Sequence, residues 1–356
     1  MSLPYVTADL PGVAALLKAA PEDFRVDEIP AYLPSGEGEH LFLLVEKTGR
    51  DTRGVADALA RALGANPRDV GVAGQKDRQA VATQWMSVAG VARERAAGLE
   101  GDGFRVLEAK RHGNKLRTGH LRGNAFRIVL RGVDAEGEAR TRAIAAALER
   151  RGLPNYYGAQ RFGRRGDNAE VGRLVLLGRE DDPRVKRARR DPRLRRFLVS
   201  AFQSEVFNEV LARRLRDGTW DAPLAGDVLQ KLGSGGLFVC ADPAADAPRV
   251  SSFECSVTGP MVGARTRPAP SGDPAALEAD VLATTGVGPE HLSRSRDALG
   301  ARRPLRLPLR ISLERRADAL ALSFELPPGA YATSVIREIT KPGGQSSDRA
   351  EGRERR

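Results

Sequence analysis

Apolar positions recur along this chain with two spacings, and the switches between them outline its elements. Phe24 to Ile29 reads as a short strand and His40 to Lys47 as a second, more buried one. Asp51-Thr52 has the chemistry of a helix cap. Val55, Leu59 and Leu63 then recur every fourth residue with Ala56 and Ala60 beside them, until Gly64 and Pro67 close that helix. Asp69 to Ala73 is a short apolar strand leading into Gly74-Gln75-Lys76-Asp77, with Trp85 to Val88 as the returning strand. Phe126, Ile128 and Leu130 alternate with Arg127, Val129 and Arg131, as a half-buried strand does. Residues 134–151 form a second helix, ended by Gly152-Leu153-Pro154.

The pattern changes after Pro154. Asn168 to Leu177 and Pro192 to Leu215 have helical periodicity. Asp227 to Cys240 reads as a hairpin around Gly233-Ser234-Gly235-Gly236, and Arg265 to Pro274 as a loop. Two-residue alternation then returns: Leu305, Leu307, Leu309, Ile311 and Leu313 share one face, and Leu320, Leu322, Phe324 and Leu326 another, with Arg315 to Asp318 as the turn. A helical middle set between two stretches of sheet suggests an insertion. The tail from Gly343 to Arg356 has no apolar groups and is expected to be disordered.

Composition narrows the picture. The chain has 356 residues, 41% hydrophobic and 29% charged, which suffices for one large or two ordinary domains with a real core. No run is long and apolar enough for a membrane helix, and the first residues lack a secretory pattern. Cys240 and Cys255 are the only cysteines, so a reducing, cytoplasmic setting without disulfides is expected. The net charge of +11 suits a polyanion such as nucleic acid. Yet 49 of the 57 basic residues are arginine, which compositional bias also explains. Two clusters stand out, Lys110 to Arg122 and Arg184 to Arg196, both suited to phosphate contacts.

Common catalytic signatures are missing. There is no Walker A loop and no Gly-x-Gly-x-x-Gly after a strand. The four histidines and two cysteines lack metal-ligand spacing. What remains is a carboxylate at a strand-to-loop junction, Asp77, behind the small residues Gly71-Val72-Ala73-Gly74. Lys76 beside it would hold it ionised in an apolar pocket, ready to act as nucleophile or base. An ordinary solvated turn with neighbouring charges is the competing reading. Phe24, Phe126 and Tyr331 each sit beside a Gly or Pro turn where a ring can face a cleft. Asn124 carries the donor and acceptor that a pyrimidine edge needs, or else simply forms a turn.

Seven motifs, in order, resemble the TruD family of tRNA pseudouridine synthases. They are Pro21-Glu22-Asp23-Phe24, Gly74-Gln75-Lys76-Asp77, Gly123-Asn124-Ala125-Phe126, the run from Asn155 to Gly163, the run from Gln203 to Asn208, Thr258-Gly259-Pro260-Met261, and the run from Leu326 to Ser334. The resemblance implies isomerisation of uridine 13 of tRNA to pseudouridine, with no cofactor and no metal. It places the catalytic carboxylate at Asp77 and uridine contacts at Phe24, Asn124, Phe126 and Tyr331. Supporting charges fall at Lys18, Glu22 and Lys76. The implied fold is α+β: a catalytic domain of mixed, largely antiparallel sheet flanked by helices, made of residues 1–154 and 300–342, with an α/β domain inserted at 155–299. The implied partner is tRNA, with no membrane and no obligate protein partner, and the chain is expected to be a monomer. An RNA-binding protein of the same fold without turnover is the rival reading, and an RNA methyltransferase a third. The carboxylate at Asp77 argues against the first, and the lack of a Gly-rich nucleotide turn against the second.

Overall fold

The computed structural model describes residues 3–341; the tail at 343–356, expected to be disordered, lies outside them. The chain forms two compact units, one built on Pro11–Ala145 and Leu309–Ala332, the other on Ala146–Pro308.

The first unit opens with β1 (Phe24–Pro30) and β2 (His40–Lys47), both at the expected positions. Helix α1 (Thr52–Leu63) starts where Asp51 accepts the Gly54 N–H and stops where Gly64 turns left-handed at φ 69°. Its buried stripe of Val55, Leu59 and Leu63 packs on Leu41, Leu43 and Val45 of β2. Next come β3 (Gly71–Val72), β4 (Val81–Ala89), the short α2 (Arg93–Ala96), β5 (Glu100–Gly101), β6 (Phe104–His112), β7 (Leu121–Arg131) and α3 (Ala135–Arg151).

The second unit carries β8 (Leu153–Pro154), α4 (Asn168–Leu176), α5 (Pro183–Arg190), α6 (Pro192–Arg216), β9 (Val228–Lys231), β10 (Leu237–Val239) and α7 (Pro243–Ser251). It continues with β11 (Cys255–Met261), α8 (Gly272–Ala283), α9 (Pro289–Arg294), β12 (Ala301–Pro304) and β13 (Arg306–Leu307). The order β10-β9-β11-β12 makes a four-stranded sheet, and α6 is its long helical partner. The chain ends its described part with β14 (Ser312–Arg316), β15 (Ala319–Leu326) and α10 (Ala332–Thr340).

Among the described residues the first unit holds a nine-stranded sheet in the order β14-β15-β7-β1-β4-β2-β6-β5, with β3 added to β4. Only the β1–β4 pairing within it is parallel. The fold is thus α+β, a mixed and largely antiparallel sheet with helices. Strand β7 is flanked by the first and last strands of the described residues, β1 on one edge and β15 on the other.

Three readings need correction. The alternation from Leu305 to Leu313 is not one strand. Pro308 has no N–H for a ladder, so it separates β13, paired with β8, from β14, paired with β15. The strand expected at Asp69 to Ala73 shrinks to two residues, because Asn66 caps a single tight turn at Pro67–Asp69. The loop expected to reach Pro274 ends earlier, since α8 begins at Gly272.

Candidate active site

Strand pairing gathers the site on one face of the sheet. Phe24, Val26 and Glu28 alternate along β1, opposite Ile128, Phe126 and Asn124 of β7. On the far edge of β7, Phe324 and Leu326 of β15 stand opposite Phe126 and Asn124. The Phe126 ring stacks on Phe324 at 5.4 Å and meets the edge of Phe24 at 6.4 Å. Phe24 and Phe324 are buried while Phe126 is half-buried, so only the middle ring offers surface. Gly123 lets the strands close here, because a side chain at that position would strike the Leu326 carbonyl at 2.6 Å.

Asp77 stands in the loop between β3 and β4, its side chain one-third exposed. Lys18 Nζ lies 3.4 Å from its Oδ2 and 4.7 Å from the centre of the Phe24 ring, so one cation joins the carboxylate to the aromatic face. Lys18 takes a left-handed backbone, φ 55°, a conformation that costs a non-glycine residue roughly 1–3 kcal/mol. The other carboxylate oxygen accepts the Gln79 N–H at 3.2 Å.

The loop itself is pinned from three elements. Lys47 of β2 donates to the Asp77 main-chain carbonyl, Thr52 of α1 accepts the Lys76 N–H at 2.8 Å, and Gln84 of β4 donates to the Gly74 carbonyl. Burial pushes the Lys47 ammonium below the ordinary lysine range, with Asp77 and Asp51 partly opposing it.

Lys76 does not serve Asp77 as its neighbour in sequence suggests. Its ammonium turns inward to Glu28 Oε2 at 2.7 Å, both side chains almost wholly buried. The second Glu28 oxygen accepts the Trp85 N–H at 3.2 Å. Glu28 and Lys47 were both missed by sequence reasoning. Each prolongs the buried alternation of an apolar strand, Phe24-Val26-Glu28 and Leu41-Leu43-Val45-Lys47, and a charge on such a face is the signal that finds them.

Asn124 sits opposite Glu28, half-buried, and its Oδ1 is buried without a hydrogen-bond partner. Tyr331 lies five residues beyond the end of β15, half-exposed, just before α10. Glu22 faces solvent. The buried acid of that motif is Asp23, which grips Arg131 through two bonds of 2.8 and 2.9 Å and also accepts the Ala20 N–H.

Those bonds from Arg131 hold the Asp23 carboxyl below its usual range. A depressed carboxylate stabilises the fold above its unfolded value, near 3.8, and loses that contribution as pH falls through the folded value. Arg131→Met is therefore expected to lower the melting temperature at pH 7, and the gap should close as pH drops below about 4. Thermal melts from pH 7 to pH 3 test this; a gap of constant size would contradict it.

A family model described as tRNA pseudouridine synthase D (TruD) matches residues 1–184 and 187–339 of this chain. The chain belongs to the TruD family. Among its TruD relatives, a tRNA pseudouridine synthase D of Anaeromyxobacter dehalogenans (strain 2CP-C) is 53% identical over 340 residues, covering 95% of this chain and 96% of the relative. One from Thermus thermophilus is 43% identical over 341 residues, covering 95% and 92%. A TruD crystal structure from Methanosarcina mazei superposes with a TM-score of 0.75 at 25% identity, covering 96% of this chain and 99% of that one. Among the described residues of this TruD chain, no helix is long and apolar enough to cross a membrane.

Proposed function

We propose that this protein isomerises uridine 13 of tRNA to pseudouridine, with Asp77 as the catalytic carboxylate and residues 155–299 as a domain inserted into the catalytic one. The observation that carries this reading is the pairing of two unlike groups at one face. An ionisable carboxylate is held by Lys18 beside the Phe24–Phe126–Phe324 stack, and an acceptor on Asn124 is buried with nothing donating to it. Leaving a buried acceptor unpaired costs about 1–3 kcal/mol. The N3–H of uracil is a donor that would satisfy Asn124 Oδ1, and the amide N–H would in turn reach a uracil carbonyl.

The reaction breaks the N1–C1′ bond, turns the uracil, and forms C1′–C5; C5 gives up its proton and N1 gains one. Atoms and electrons balance within the substrate. Asp77 acts at the sugar or ring, as a nucleophile on C1′ or C6 or as the base that takes the C2′ proton. The target base must first leave its stack, at a cost of a few kcal/mol. Contact with Phe126, and with Tyr331 from beyond β15, offsets that cost at about 1–3 kcal/mol per stacked base. Lys18 pairs with the carboxylate and Glu22, at the solvent edge, adds to the local field. The partner is tRNA, and the chain works as a monomer in the cytoplasm.

The purified protein is expected to form pseudouridine at position 13 of a tRNA transcript carrying uridine there, and none in a transcript with cytidine at 13. Chemical mapping of the product reads both. Absence of product from the first transcript would sink the enzyme reading, and product at another position only would sink the choice of uridine 13.

A further inference from the structure

We infer that the exposed side of α5 and the first turns of α6 form a docking ridge for the phosphate backbone of the RNA substrate. The inference rests on the reading of the protein as an RNA-modifying enzyme and deepens it by assigning the residues that hold the RNA. Lys186, Arg187 and Arg190 project from α5, whose other side buries Val185 and Ala188 against Val171 and Leu198. Arg193 and Arg196 continue the ridge on α6. All five are exposed, and among the described residues none has a carboxylate partner. Their neighbours Arg184, Arg189 and Arg195 are, by contrast, neutralised by Asp182, Glu180 and Asp297.

Asp191 is the only acid between Pro183 and Ser204, and it is spent on the cap of α6, accepting the N–H groups of Arg193 and Leu194. Asp191 acts on Arg187 and Arg193 through space but forms an ion pair with neither, among the described residues. A second observation points to the same partner. Phe197, one turn beyond Arg193, is 40% exposed, and the Arg161 guanidinium lies 5.2 Å from its ring centre. Arg161 is itself fixed by the hydroxyls of Ser200 and Ser204. A ring held in place at the end of a row of unpaired cations fits a polymer with phosphates and stackable bases. A purely acidic peptide would use the cations and leave the ring idle.

The test compares tRNA affinity across salt concentrations for the intact protein, the triple variant Lys186→Ala/Arg187→Ala/Arg190→Ala, and a control triple, Arg61→Ala/Arg93→Ala/Arg95→Ala, taken from exposed positions elsewhere. Alanine suits an exposed helix face, so α5 is kept. Each lost phosphate contact removes about 0.7–0.9 from the slope of log affinity against log salt. The ridge variant is expected to lose about 2–3 units of slope and to bind more than about tenfold more weakly at 0.15 M salt. Its kcat at saturating tRNA stays at the intact level. Phe197→Ala should weaken binding by roughly fivefold or more and leave the slope alone. An unchanged slope in the ridge variant, or an equal loss in the control triple, overturns the inference and leaves the ridge to a protein partner. Binding is read independently of product, so tRNA held through the ridge without any pseudouridine formed would fail the activity and spare the docking surface.

Discussion

Asp77→Asn is expected to lower turnover by about a thousandfold or more while tRNA affinity changes by less than about threefold. The substitution keeps the size and the oxygen that accepts the Gln79 N–H, and it leaves untouched the main-chain carbonyl that receives Lys47. The loop therefore keeps its shape. What disappears is the negative charge, and with it both the nucleophile and the base; general acid–base groups alone contribute about 10²–10⁴-fold. The small binding effect follows from position, since one carboxylate adds little to an RNA grip made by cations. Single-turnover pseudouridine formation and filter binding on the same preparation check the two halves. Turnover within tenfold of the intact protein would remove Asp77 from the chemistry. A collapse of binding would make it a structural residue.

The second large effect is on stability. Lys76→Met is expected to cost about 3–5 kcal/mol, because it leaves the Glu28 carboxylate buried with only the Trp85 N–H to satisfy it. Adding Glu28→Gln should recover much of that loss. The amide still accepts from Trp85, and neither partner is then charged. Denaturant unfolding of the singles and the double gives the coupling directly. Losses that simply add would show that the two groups do not depend on one another. The double variant is also expected to keep turnover within about tenfold, since the cation that meets Asp77 is Lys18.

That last distinction marks how far the sequence could be read. The strands at Phe24 and His40 and the helix after Asp51 were legible because each is long enough to show its period and carries its own cap or stop. The division of Leu305 to Leu313 between two sheets was not, because alternation continues straight through Pro308 and only the partners differ. The strand β6 was hidden by Leu107, 47% exposed on the wrong side of its alternation. At the site, Gly74 and its small neighbours announced Asp77. The local pattern assigned its cation to Lys76, one residue away; Lys18, 59 residues upstream and the cation that meets it in the fold, came only from the family resemblance. Lys76 and Asp77 send their side chains to different partners, Glu28 and Lys18, so neighbours in sequence make poor contact partners there.

The place of β7 between β1 and β15 also sets a clock. A ribosome adding about 5–20 residues per second finishes Asn124 and then makes 202 more residues (326 − 124) before its neighbour Leu326 exists. For about 10–40 seconds the nascent chain carries Asp77 and Phe24 but has an open β7 edge where Phe324 belongs. Translation thus withholds the Phe324 side of the aromatic stack from every chain stopped short of β15.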